Sequence, residues 1–219
     1  HGSARTAEAL FPSEHWVGVD DLQPIAYAPE RARTLLRQAG FGGETPLKLV
    51  YKTSSDPYRI RLATIIQSQL AAVGIDLELR SYDWGTFFGD IKAGRFQLYS
   101  LTWVGLRTPD SLHYIFASDS LPPAGANRGR YASTRVDELL REAAAQPSLP
   151  RRAQAYREVQ RHLHQELPYV PLWSEDQLAV SRREIQGYEL SPDGNYDGLE
   201  RVEWVKGPAL EGELAHAAH

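Results

Sequence analysis

The 219-residue chain contains no cysteine and no methionine. Without cysteine it has neither disulfides nor thiolate metal sites. That absence fits an oxidising compartment, although many cytosolic domains also do without cysteine. The absence of methionine extends to position 1, so the chain reads as a processed or engineered product. His1-Gly2-Ser3 reads as a tag remnant and is set aside from fold reasoning. No run of Lys or Arg marks a nucleic-acid groove: the formal net charge is -4, the pI is near 6.0 and the two signs are mixed along the chain. No apolar stretch approaches the roughly 20 residues that span a bilayer.

Chemical motifs are scarce as well. There is no Gly-x-Ser-x-Gly elbow for a nucleophilic serine. Gly40-Phe41-Gly42-Gly43 follows a helical pattern, whereas a phosphate loop follows a strand. The acidic pairs Asp20-Asp21 and Glu175-Asp176 lie in loop-like sequence and read as solvated surface. His162 and His164, two apart on a helix, point to different faces and cannot share an ion. His1, His216 and His219 fall in the tag and tail, and His15 and His113 have no obvious partner. No metal, cofactor or catalytic group is expected.

What is present is core-forming material: 42% hydrophobic residues and 10% aromatic, far above a disordered chain. Pro29 opens a helical pattern with Ala32, Leu35, Leu36 and Ala39 on one face, and Gly40 with Phe41 is placed to end it. Residues 47–51 alternate as a strand, and Thr53 to Pro57 reads as a loop and helix entry. Leu62, Ile66, Leu70 and Val73 form a helical stripe stopped by Gly74, and 75–80 alternate again. Strand, helix, strand is the signature of a crossover onto one sheet. A short helix over 84–93 closed by Gly94 follows, then a strand over 96–103 buried on both faces. A short helix carries Leu112, Ile115 and Phe116; residues 119–133 are irregular. Thr134 and Asp137 have capping-box spacing before a helix with Val136, Leu139, Leu140, Ala143 and Ala144 inward. A second long helix begins near Pro150 with Tyr156, Val159, Leu163 and Leu167 on one side and ends at Pro168. Residues 170–173 and 177–181 are candidate short strands, 182–206 loops with one or two more, and 207–219 a flexible tail. The class is α/β, a mixed sheet flanked by helices.

Ligands of open α/β sheets settle beyond the carboxyl ends of strands, which singles out the loop after 96–103. Trp103 supplies a flat apolar wall, Gly105 lets backbone approach closely, and Thr108 adds a polar contact. Arg107 and Asp110 carry charges for opposite partners. The same spacing fits a plainer reading, with Trp103 in the core and both charges solvated. Asn127, Arg128 and Tyr131 form a second polar cluster, which either contacts ligand or ties the irregular segment to backbone.

The order of these elements resembles family 5 solute-binding proteins, the dipeptide, oligopeptide and nickel binders of ABC importers. The resemblance runs over about residues 20–205, through Tyr27-Ala28-Pro29-Glu30-Arg31-Ala32, Ala39-Gly40-Phe41, Val73-Gly74-Ile75, Tyr82-Asp83-Trp84 and Gly94-Arg95-Phe96. It continues through Trp103-Val104-Gly105, Pro109-Asp110, Asn127, Tyr131, Val136 to Leu140, Tyr156, Gln160, Pro168 and Pro171-Leu172. The resemblance implies a type II periplasmic-binding-protein lobe. Residues 4–206 would be the second, C-terminal lobe of a two-lobed clamp, with the segment returning toward the first. It implies a periplasmic or extracytoplasmic setting, a peptide or other small solute as ligand, an ABC permease as partner, a missing N-terminal lobe, and no nucleic acid. Peptide binders of the family carry an acid shortly after the Trp of this loop to receive the peptide amine. Leu106 stands there in this sequence, so the usual amine anchor is not in its place, Asp110 follows the proline instead, and Arg107 offers an alternative attraction for an acidic ligand group. An apolar face left bare by a missing lobe would favour self-association. A second reading is the ligand-sensing domain of a cytoplasmic transcription regulator with the same lobe. A third, a hydrolase using His113 and nearby carboxylates, has no support in the spacing.

Overall fold

A computed structural model describes residues 4–205 except Glu44. The chain divides into two compact units. Among the described residues, the larger comprises 6–102 and 108–173, and the smaller 4–5, 103–107 and 174–205. Residues 1–3 and 206–219, expected to be tag and tail, lie outside the described residues.

In the larger unit, helix α1 (Pro29–Gln38) starts on proline and ends as its sequence demands. The Gly40 N–H donates to the Arg37 carbonyl and the Phe41 N–H to that of Leu36, with Gly40 at φ +86°. These are the paired bonds of a Schellman stop, and they need a residue tolerant of left-handed backbone. Strand β2 (Leu47–Ser54), helix α2 (Pro57–Ala71) and strand β3 (Ile75–Tyr82) make the expected crossover. (The first strand, β1, is Ala4–Thr6.) β2 and β3 run parallel in register from Leu47 opposite Ile75 to Ser54 opposite Tyr82. β2 is longer than its alternation predicts, because Thr53 and Ser54 continue the ladder before Asp56 caps α2 through the Arg59 N–H. Tyr51, Ala63 and Leu77 are the centre of the sheet–helix core, with Leu49, Ile66, Leu70, Leu79 and Leu98 around them.

Helix α3 (Trp84–Lys92) is capped by Asp83 and stopped at Gly94 by the same pair of bonds that ends α1. The strand expected over 96–103 is only β4 (Leu98–Tyr99), half-buried rather than buried on both faces. Among the described residues it pairs with β2 alone, so the order there is β3-β2-β4 with β4 at an edge. The expected mixed sheet is divided: this one is parallel, and antiparallel pairing appears separately between β6 (Ile185–Gln186) and β7 (Glu203–Trp204) in the smaller unit.

Helices α4 (Ser111–Phe116), α5 (Thr134–Ala145) and α6 (Leu149–Glu166) build a second core. Leu112, Ile115, Phe116, Val136, Leu139, Leu140, Tyr156, Val159 and Leu163 are buried there. The capping box does not form: Ser133 is the N-cap, and the Asp137 carboxylate instead accepts from the Ser118 N–H and hydroxyl. Phe11, Val17 and Val19 are also buried. Their segment is fastened to α6, where the buried Gln160 side chain accepts from the Phe11 N–H (3.2 Å) and donates to the Val17 carbonyl (2.7 Å). Arg157 donates to the carbonyls of Gly18 and Trp16, and Arg161 grips the Asp21 carboxylate.

The strand expected at 170–173 is displaced to β5 (Trp173–Glu175), which pairs with β1. Residues 177–181 form no strand, because no neighbouring strand among the described residues pairs with them.

Candidate functional site

Because β3, β2 and β4 are parallel, their carboxyl ends share one edge of the larger unit. Ser55-Asp56 leaves β2, Asp83-Trp84 leaves β3, and Ser100 to Thr102 leaves β4. Polar groups are organised there. Arg59, in the first turn of α2, donates to the Thr102 hydroxyl at 3.0 Å. The Tyr51 hydroxyl donates to Ser100 at 2.6 Å; burial pushes its pKa up and the Ser100 bond partly opposes this. Asp83 is held below the usual carboxylate range by bonds from the Thr86 side chain and N–H.

Trp84 is the residue that sequence reasoning missed. It is 58% exposed at the first turn of α3, and its ring stacks on Phe88 with centroids 5.3 Å apart. Its signal was available: an aromatic residue directly after a strand and its capping Asp stands at the ligand-facing edge of a parallel sheet. In the sequence it marks a helix start and falls within the Tyr82-Asp83-Trp84 stretch of the family resemblance, without a ligand role.

The eight expected residues divide between the units. Trp103, Gly105 and Arg107 belong to the smaller. Trp103 is half-buried, and Gly105 adopts φ +78° with its N–H donating to the Asp193 carbonyl at 2.9 Å. Arg107 Nε donates to Asp193 Oδ2 at 2.8 Å, and its Nη2 reaches Asp197. Burial acts to raise the Asp193 pKa, but bonds from Ser191, Arg107 and Asn195 outweigh it and hold the group at about 2. The same carboxylates raise the Arg107 pKa. Its guanidinium is thus a firmly held cation with its charge matched locally.

Thr108, Asp110, Asn127, Arg128 and Tyr131 belong to the larger unit. Exposed Thr108 contributes its carbonyl to the Ser111 N–H at 3.1 Å, at the start of α4. Asp110 Oδ1 accepts from Arg152 Nη2 (2.7 Å) and from the Tyr156 hydroxyl. The Tyr156 bond first, then Arg152, lowers its pKa, and the side chain remains 57% exposed. Asn127 is buried: its amide donates to the carbonyls of Ala117 (3.0 Å) and Tyr131 (2.7 Å), and its oxygen accepts from the Tyr131 N–H (2.9 Å). Those bonds brace the irregular segment. The Tyr131 ring stands edge-on to Phe116, and its hydroxyl donates to Glu166. Burial, then Glu166, pushes that hydroxyl up to about 12. The Arg128 guanidinium lies 5.2 Å from the Phe88 ring centroid, which joins it to the Trp84 stack. Asp110, the Asn127–Tyr131 brace and the Arg128–Phe88–Trp84 stack are three local constellations rather than one.

Residues 1–121 match the family described as Bacterial extracellular solute-binding proteins, family 5 Middle. The chain is 33% identical to Di/tripeptide-binding protein 2 of Pseudomonas aeruginosa, across 86% of this chain and 36% of that protein. It is 27% identical to the Dipeptide-binding protein of Escherichia coli, across 89% and 37%. Among solved structures it resembles the ABC transporter-associated periplasmic binding protein DppA from Helicobacter pylori in complex with peptide STSA. The TM-score is 0.80 and the identity 25%, over 94% of this chain and 40% of that one. The chain therefore spans a little over a third of the length of the curated relatives it matches. Matched over more than half its length to that family and one-third identical to a relative, it belongs to the bacterial extracellular solute-binding proteins of family 5.

Proposed function

We propose that this chain is the ligand-binding lobe of an extracytoplasmic solute-binding protein that delivers di- or tripeptides, or a related small solute, to an ABC permease. The observation that carries the reading is the 33% identity to a di/tripeptide-binding protein across most of the chain. The relatives are binding proteins, and neither the regulator nor the hydrolase reading draws support from them. No helix among the described residues is long and apolar enough to cross a membrane.

The chemistry of a short zwitterionic peptide suits the groups available. Its ammonium needs an anion, its carboxylate a cation, and its side chains apolar walls. With Leu106 where an acid is expected, the amine falls to Asp110. Arg152 and Tyr156 hold that carboxylate by Oδ1, and more than half of the side chain faces solvent. In the smaller unit, taken by itself, Arg107 has five N–H donors and uses two on Asp193 and Asp197, so it keeps donors for an acidic ligand group. In the larger unit Trp84 serves as a wall, Thr108 as a hydroxyl contact and Arg128 as a cation beside the aromatic stack; in the smaller unit, taken by itself, Trp103 serves as a wall and Gly105 as a backbone contact. Asn127 and Tyr131 hold the loop that presents Arg128.

The chain covers one part of a longer clamp, so it buries one side of the ligand and binds far more weakly than the whole. The test is an amide chemical-shift titration of the 219-residue chain with di- and tripeptides. Millimolar binding, about -4 kcal/mol, is expected, with shifts at Trp84, 103–110 and 127–131 that Trp103→Ala weakens. No shift with any short peptide at about 20 mM would remove peptides as the ligand of this chain.

A further inference from the structure

Four polar residues of α6, Arg157, Gln160, Arg161 and His164, recur at the i, i+3, i+4, i+7 spacing of one helical face. All four bind residues 8–23. The first three take the middle of that strap, at Phe11, Trp16, Val17, Gly18 and Asp21. His164 takes its two ends: Nδ1 lies 3.1 Å from the Glu8 carbonyl oxygen and Nε2 3.0 Å from that of Gln23. Residues 24–27 form no hydrogen bond among the described residues, so Gln23 is the last point fastened before α1.

A neutral imidazole cannot serve both ends. It has one N–H and one lone pair, so one carbonyl oxygen would face a lone pair at hydrogen-bond distance. Carbonyls only accept, and two acceptors require two donors, which is the imidazolium. A second feature favours the same form. His164 stands in the last turn of α6, where the helix dipole stabilises a cation. On α6 its ionisable neighbours are Arg157, Glu158, Arg161, His162 and Glu166; on the strap they are Glu8, Glu14, His15, Asp20 and Asp21. Carboxylates outnumber guanidiniums there, and Arg161 is matched by Asp21 and Glu158. Of these side-chain types only histidine titrates in the neutral range. His162, two positions away, faces elsewhere. His15 has the opposite requirement, because its Nδ1 accepts from the Val17 N–H, a bond that protonation removes.

We infer that His164 is a pH-dependent latch for this strap: the imidazolium fastens both ends to α6, and loss of one ring proton frees the Gln23 end. Gln23 is the end released because its contact is exposed, and water takes over an abandoned carbonyl there. The Glu8 contact is partly buried, so leaving it would strand its carbonyl. The protonated ring holds more bonds, so the latch contributes stability in acid and loses it as pH rises. Release moves the last fastened point back to Asp21, which Arg161 holds, and loosens the approach to α1. The inference is independent of the ligand.

Nuclear magnetic resonance of the full 219-residue chain at about pH 5 and about pH 9 brackets ordinary histidine titration. In acid both His164 ring nitrogens are expected to carry a proton, and in alkali Nδ1 alone. The Gln23 carbonyl carbon should shift with loss of the Nε2 proton, while that of Glu8 stays. His164→Arg supplies donors that do not titrate and should hold the Gln23 signal at its acid position at both pH values. His164→Ala should leave it at its released position at both. His15→Gln should keep the wild-type response. A Gln23 signal indifferent to the His164 titration, a proton kept on Nε2 rather than Nδ1 in alkali, or a response that persists in His164→Arg would each overturn the latch.

Discussion

Gln160→Ala is the sharpest test of how the N-terminal segment is held. Gln160 is 2% exposed and spans the Phe11 N–H and the Val17 carbonyl, residues that are themselves buried. Truncation strands one donor and one acceptor away from water. Each stranded group costs about 1–3 kcal/mol, and the void adds about 1 kcal/mol. A loss of about 3–5 kcal/mol is a large part of the stability of an ordinary domain. Thermal unfolding should fall by about 10 °C for a chain of this size. Urea titration followed by far-UV circular dichroism measures the loss, and amide hydrogen exchange at Phe11 locates it. Gln160→Glu separates hydrogen bonding from volume. A protonated carboxyl reproduces both bonds, whereas the ionised form cannot donate and is buried. That variant should recover stability as pH falls, because burial raises its folded-state pKa and the stabilised protonated form is lost as pH rises. A loss below about 1 kcal/mol for Gln160→Ala, with Phe11 protection unchanged, would refute the claim that α6 anchors this segment.

Asn127→Ala removes three hydrogen bonds to the backbone at 117 and 131. It should cost about 2–4 kcal/mol in the same urea assay and free the 117–131 amides to exchange. Gly18→Ala places a methyl 2.3 Å from the Pro12 carbonyl oxygen and 2.5 Å from that of Ser13. Backbone must move, so a loss of about 2 kcal/mol or more is expected; a neutral variant would show that the 12–18 turn yields freely. Asp193 titrates at about 2, below the roughly 3.9 of an unfolded aspartate. Its contribution is therefore complete above the unfolded value and is lost as pH falls toward the folded one. Carboxyl carbon shifts of Asp193 should titrate near 2, and Asp193→Asn should flatten the acid side of the stability profile. A midpoint at the unfolded value would mean that the Ser191, Arg107 and Asn195 bonds do not favour the charged form.

Local sequence was decisive where the controlling interaction is itself local. The stops at Gly40 and Gly94 follow from one left-handed residue that lets its own N–H and the next one reach carbonyls three and five residues back along the same helix. The crossover β2–α2–β3 follows from a switch between period two and period 3.6. Prediction failed where a distant neighbour decides. Thr134 and Asp137 have the spacing of a capping box, but Ser118 claims the Asp137 carboxylate. Residues 96–103 are apolar enough for a buried strand, but β4 has a ladder on one side only and stops after two residues. Among site residues, Asp110 and Arg107 were legible as charges. That each already meets partners, Arg152 with Tyr156 and Asp193 with Asp197, was not, since those lie 42 to 90 positions away in sequence.

By itself, then, the sequence determined the α/β class, the order and ends of most helices, and the family. Each of these depends on residue identity within a few positions or on order along the chain. Only the tertiary structure decided that α6 uses Gln160, Arg157 and Arg161 to hold main-chain groups of residues 11–18 and the Asp21 carboxylate. Only it brought Arg128 over the Phe88 ring of α3 and left Leu178 and Val180 uncovered. The physical reason is that a side chain's polarity states what it can bond to, while which group arrives within hydrogen-bond distance depends on how remote segments pack.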